Sequence, residues 1–109
     1  MSPQRTLVIK LLRADEWAAF EATGSFSGSP DDLRDGYVHL STPDQVAGTA
    51  AKWFAGEAGV MAVTFDAEAL APDLCWEPAR GGALFPHLYR PLRRGDVLAA
   101  VPASDFVAA

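Results

Sequence analysis

The chain has 109 residues, 14 acidic and 9 basic, with a formal net charge of −5; half of its residues are hydrophobic and 21% are charged. These proportions exclude an intrinsically disordered chain, and the length fits one domain with its own core. A single cysteine, Cys75, excludes an internal disulfide and a cysteine-rich zinc site, and no apolar run approaches the roughly 20 residues of a membrane-spanning helix.

Residues 1–12 hold only a short apolar stretch and no small-residue cleavage site. They read as a first strand rather than a signal peptide, which points to a cytoplasmic protein. Within them Thr6 to Leu12 (TLVIKLL) predicts a strand buried on both faces. Ala14 to Ala22 predicts a helix. Asp15 and Glu16 suit its positive end, Trp17 and Phe20 lie three apart on one face, and Gly24 can end it left-handed. Ser29-Pro30-Asp31-Asp32 combines a cap, a first-turn proline and a capping-box acid, which predicts one short helical turn. Tyr37 to Leu40 (YVHL) follows as a short strand. Thr42-Pro43-Asp44-Gln45 repeats the cap, proline and box pattern. The helix it starts is expected to run to about Ala55 and stop at Gly56, with Val46, Ala50, Trp53 and Phe54 on its apolar face.

Val60 to Phe65 predicts a buried strand, and Asp66 to Leu70 a helical turn broken by Pro72. Leu74 to Glu77 predicts another strand, in which Cys75 is expected to be a buried, inert thiol. Gly81, Gly82 and the prolines at 78, 86 and 91 predict an irregular stretch after it. Arg94-Gly95-Asp96 reads as a turn and Val97 to Phe106 as a final strand, at an edge or interrupted by Pro102. The helices are few and cluster in the first half. The expected fold class is therefore α+β, a single domain over 1–109, rather than a doubly wound parallel sheet.

Charge is unevenly spread. Arg80, Arg90, Arg93, Arg94 and His87 fall between Pro78 and Gly95 with no acid among them. The rest of the chain holds all 14 acids. An acidic body disfavours nucleic acid, whose binding needs many phosphates neutralised. A small basic island fits a small anion such as phosphate or pyrophosphate, or else a solvated arginine loop.

Three clusters carry function-capable groups. His39 and Ser41 share a strand face beside the start of a helix, a polar pocket suited to a ribose or a carboxamide, or else a satisfied core histidine. Trp76, Glu77 and Arg80 lie in a glycine-flexible segment and could take a planar ring, its hydroxyls and its phosphate; the plainer account is a Glu77–Arg80 ion pair beside a core tryptophan. His87, Tyr89 and Arg90 lie in FPHLYRPL, where the imidazole and the phenol share a face if the segment is extended. Neither GxGxxG nor GxxxxGK[ST] is present, nor GxSxG, and two histidines 48 positions apart predict no metal site.

The runs LRADEW (12–17), DGYVHLST (35–42), WEPARGG (76–82) and FPHLY (85–89) resemble a small bacterial family, domain of unknown function 952. The resemblance implies the ADP-ribosylation fold: a compact α+β domain with a split, mostly antiparallel sheet, an N-terminal helix and one main helix after the VHLS strand. Residues 37–70 are also similar to a segment of NAD-dependent RNA 2′-phosphotransferases, which transfer a 2′-phosphate to the nicotinamide ribose of NAD. The tandem arginine-histidine of those enzymes is missing, and the chain is too short for their RNA-binding lobe, so RNA phosphotransfer is not expected.

The resulting expectation is a small-ligand pocket for NAD, ADP-ribose or a related phosphorylated nucleotide, with ADP-ribosyl-type transfer as the candidate activity. His39 and Ser41 would hold the ribose or carboxamide, Trp76 or Tyr89 would stack on a ring, and Arg80 and Arg90 would take phosphates, with His87 in the same cavity. Glu77 and His39 are the candidate catalytic groups, Glu77 facing an oxocarbenium-like centre. The expected cofactor is NAD, with no metal and no membrane partner. The alternative is a non-catalytic module for a small anionic metabolite or a partner protein.

Overall fold

The apolar run Leu7–Leu12 forms β1, and the computed structural model, which describes residues 6–106, covers it on both faces. Val8 and Leu12 point into one cluster with Phe20, Phe65, Leu70 and Leu88; Ile9 and Leu11 point into another with Val46, Val60 and Ala62. A strand enclosed in this way needs apolar side chains at nearly every position, which is why it reads as a continuous run. Residues 1–5, read above as leading into this strand, lie outside the described residues.

β1 pairs antiparallel with β4 (Met61–Asp66), and β4 pairs on its other side with β8 (Val97–Pro102). A second antiparallel sheet has the order β3 (Val38–His39), β6 (Leu84–Leu88), β5 (Leu74–Pro78). A backbone bridge links the two sheets where Ile9 and Ser41 exchange hydrogen bonds of 2.7 and 2.8 Å. Beyond it the strands part, and the opening between them becomes the cleft described below. A two-residue ladder joins β2 (Ser25–Phe26) to β7 (Leu92–Arg93).

The helices are α1 (Ala14–Thr23), α2 (Pro30–Asp35), α3 (Val46–Trp53) and the single turn α4 (Ala67–Leu70). α1 ends at Gly24 in a left-handed conformation, and α2 starts on the Ser29–Asp32 capping box. The fold is α+β with antiparallel sheets, and no helix among the described residues is long and apolar enough to cross a membrane.

Several expectations need correction. The stretch after Gly82 is not irregular: Leu84–Leu88 is the middle strand of its sheet, with Pro86 inside it. Pro86 falls opposite Leu40, one residue past the end of β3, where its carbonyl accepts the Leu40 N–H at 3.0 Å. The missing proline N–H therefore costs the ladder one bond at a point where the neighbouring strand is already leaving. α3 stops at Trp53, and Trp53 is 52% exposed instead of lying on the buried face. Cys75 is exposed because β5 is an edge strand.

Two glycines separate backbone strain from helix propensity. Gly28 has φ +135, and a Cβ there would lie 2.6 Å from Asp32 Cβ; Gly48, inside α3, has open space around it. Gly28→Ala is expected to destabilise the fold by about 1–3 kcal/mol, and Gly48→Ala to stabilise it by about 0.5–1 kcal/mol. Urea midpoints of the two variants check both signs.

Candidate functional site

Lysine is costly inside a buried strand unless it is paired. Lys10 is such a residue, 6% exposed in β1. Its Nζ donates to Asp32 Oδ2 at 2.8 Å and to the His39 carbonyl at 3.1 Å, and sits over the Phe26 ring. Asp32 is buried as well. It also accepts from the Ser29 N–H at 2.9 Å and the His39 N–H at 3.0 Å, and its Oδ1 lies 2.6 Å from His39 Nδ1. One carboxylate thus fastens α2 to β1 and to β3. Burial pushes the Asp32 carboxyl up, but the His39 hydrogen bond, the Lys10 ammonium and the Ser29 N–H outweigh it and hold the group well below the usual carboxylate range.

His39 has a carboxylate on each nitrogen, because its Nε2 lies 3.1 Å from Asp35 Oδ2. Asp35 is in turn gripped by Arg34 at 2.9 and 3.2 Å, which holds its carboxyl below the usual range.

His87 is the cross-strand partner of His39, and the two rings meet edge-on with centroids 5.5 Å apart. Tyr37 stacks on His87 at 4.1 Å and contacts His39 at 4.7 Å. The His87 side chain is only 6% exposed. Its Nδ1 lies 2.8 Å from Glu77 Oε1, which also accepts the Tyr89 hydroxyl at 2.7 Å. The hydrogen bonds from Tyr89 and then His87 hold the Glu77 carboxyl below its ordinary value, and the same contact pushes the Tyr89 phenol up to about 12. An ionised Glu77 can only accept, so Nδ1 carries the proton. His87 Nε2 has no partner among the described residues, and no buried polar side-chain atom there is unpaired. Nε2 therefore opens on the cleft that His87 lines.

The cleft is about 360 Å³. His39, His87, Tyr37, Lys10 and Ser41 line its interior, with Thr49, Trp53 and Phe54 from α3 and its end, and with Arg13 and Arg34. Ser41 is buried, with its Oγ 3.1 Å from Thr49 Oγ1. Among the described residues no group of three or more histidine, cysteine, aspartate or glutamate side chains is arranged to hold a metal ion.

His39 and Ser41 from one stretch of sequence and His87 from another come together here. Glu77 and Tyr89 touch the site only through His87 and Tyr37. Trp76 does not join them. The two-residue period of β5 sends Glu77 and Trp76 to opposite faces, and Trp76 lies outside the cleft. Arg90 is not a free phosphate ligand either: it faces Asp73 at 3.4 Å and Asp96 at 3.2 Å and is mostly buried. The structure describes Arg80 by its backbone alone, at the start of a 3-10 turn, so the Glu77–Arg80 pair lies outside the described side chains. Sequence reasoning missed Lys10, Asp32 and Tyr37. The one available signal was a lysine within an apolar strand.

The family described as "Protein of unknown function (DUF952)" matches residues 11–100. The chain belongs to this family. Its fold matches the crystal structure of protein CC0527 from Caulobacter crescentus, with 49% identity, a TM-score of 0.86, and coverage of 89% of this chain and 85% of that one. The solution NMR structure of CC0527 matches with 49% identity and a TM-score of 0.78, over 87% of this chain and 82% of that one. No curated protein matches the chain significantly.

Asp32→Ala leaves Lys10 buried without its counter-charge, and is expected to cost about 3–5 kcal/mol in urea unfolding. The Asp32 carboxyl is depressed below its unfolded value near 3.9, so its contribution is complete above that value and is lost as pH falls through the folded one. Stability should thus drop below about pH 4, with a shallower slope in Asp32→Asn. Separately, ultraviolet titration should place the Tyr89 phenol near 12, and Glu77→Gln should bring it down towards the ordinary tyrosine value.

Proposed function

We propose that the cleft binds NAD, ADP-ribose or a related phosphorylated nucleotide, and that His87, aimed by Glu77, is the group that moves a proton on the bound molecule. The split antiparallel sheet with its cleft at the fork supports a relationship to the ADP-ribosylation fold, and this reading places the protein in the cytoplasm. One observation carries the chemical part. A nearly buried imidazole is oriented by a carboxylate on Nδ1 and turns its other nitrogen to a cleft of ligand size. A carboxylate on one ring nitrogen fixes the tautomer and makes the other nitrogen a placed acid or base.

A second reading, a binding module without turnover, is favoured by the carboxylates. Asp32 is spent on Lys10, Ser29 and His39, and Glu77 is not among the residues lining the cleft. Neither is placed to face an oxocarbenium-like centre.

Calorimetry with NAD, ADP-ribose and inorganic phosphate separates these readings. NAD or ADP-ribose should bind, and His87→Ala should weaken the complex by about tenfold, equivalent to about 1.4 kcal/mol. Nicotinamide release that His87→Ala abolishes makes the protein a transferase or hydrolase, whereas binding without release makes it a module. Absence of heat from both nucleotides would sink the nucleotide reading.

A further inference from the structure

The hydrogen-bonding groups at the floor of the cleft are not balanced between donors and acceptors. Lys10 commits two of its three protons to Asp32 and the His39 carbonyl, and its Nζ lies 5.9 Å from the centre of the Phe26 ring. Both nitrogens of His39 face carboxylates. Thr49 has one hydroxyl proton, and the Gln45 carbonyl 3.1 Å away can only accept it. Ser41 must therefore donate to Thr49 across their 3.1 Å contact, which leaves Ser41 with lone pairs alone for the cleft. His87 points its Nδ1–H at Glu77, and in the neutral form of the ring Nε2 likewise shows a lone pair. Tyr37 has a hydroxyl with no hydrogen bond among the described residues, able to give as well as take.

We infer that the group seated at this floor is an uncharged hydrogen-bond donor, a hydroxyl or a primary amide, and not a phosphate or carboxylate. An anionic oxygen has only lone pairs to bring. It would set them against those of His87 Nε2 and Ser41 Oγ, where a hydroxyl donates its one proton to either of them and a primary amide can donate one N–H to each. Among the described side chains, the other cations lining the cleft are already paired: Arg34 with Asp31 and Asp35, Arg13 with Glu57 at 3.1 Å. A phosphorylated ligand therefore enters with its sugar or amide end first and its phosphates outward. This rests on the nucleotide reading for the identity of the ligand, but its polarity is a property of the floor alone.

The test uses matched probes at about pH 8, where an ordinary imidazole is neutral. Adenosine is compared with 2′,3′-dideoxyadenosine for the hydroxyl arm, and nicotinamide with nicotinate for the amide arm. Binding is read from the His87 Nε2 chemical shift, with inorganic phosphate as a further probe. At least one donor-bearing member should bind and move His87 Nε2. Its matched partner should bind more weakly, and Ser41→Ala should weaken the donor-bearing probe by about three- to tenfold. The wild-type shifts decide the question if Ser41→Ala does not fold. Nicotinate or phosphate moving His87 Nε2 as strongly as the donor probes would overturn the inference, even if NAD binds. Donor probes that bind where NAD and ADP-ribose do not would uphold it and sink the nucleotide reading. Silence from every probe at millimolar concentration would overturn both.

Discussion

The buried contact between Lys10 and Asp32 is the interaction on which the cleft depends. Taking a lysine and an aspartate out of water costs several kcal/mol per ion, which mutual attraction offsets only when other hydrogen bonds complete the site. Here the carboxylate also receives the Ser29 N–H and the backbone and ring of His39. The pair ties β1, α2 and β3 together. It holds α2 in the gap where β1 and β3 part, and sets the His39 ring against that of His87. An apolar pair of similar volume could fill the same space, but it would not orient an imidazole.

From that anchor the rest of the site follows by strand geometry. His39 and His87 are register partners, so one face of the β3–β6 ladder carries both rings, with Tyr37 laid against them. Glu77 faces the same way from β5 and reaches His87 Nδ1, while Tyr89 closes the carboxylate from the exposed side. Two histidines in similar positions are thereby given different characters. His39 is locked between acids and serves the architecture, whereas His87 keeps one nitrogen open to the cleft.

The elements were largely legible in the sequence, because caps, prolines and apolar runs act locally. β1, α1, the Ser29 cap of α2, the β3 strand and β4 all follow from such signals. Pro86 misled because a proline inside a strand is tolerated where its partner strand ends, and no local pattern reveals where that is. The site was half legible. His39, Ser41 and His87 stand out as polar groups among apolar neighbours, but the partner of Lys10 lies 22 positions away and first reads as a capping acid. Trp76 and Arg90 stand near Glu77 and His87 in sequence but not in the site. Strand alternation sent Trp76 to the other face, and Asp73 and Asp96 neutralised Arg90.

The chemistry of the cleft depends on which His87 nitrogen holds the proton. A long-range proton–nitrogen correlation spectrum of the imidazole rings at about pH 8 measures this directly. The Glu77 contact predicts a His87 ring protonated on Nδ1 and bare on Nε2. A His87 ring protonated on Nε2, or one averaging between tautomers, would contradict it, because the cleft would then lack the oriented lone pair on which its chemistry rests.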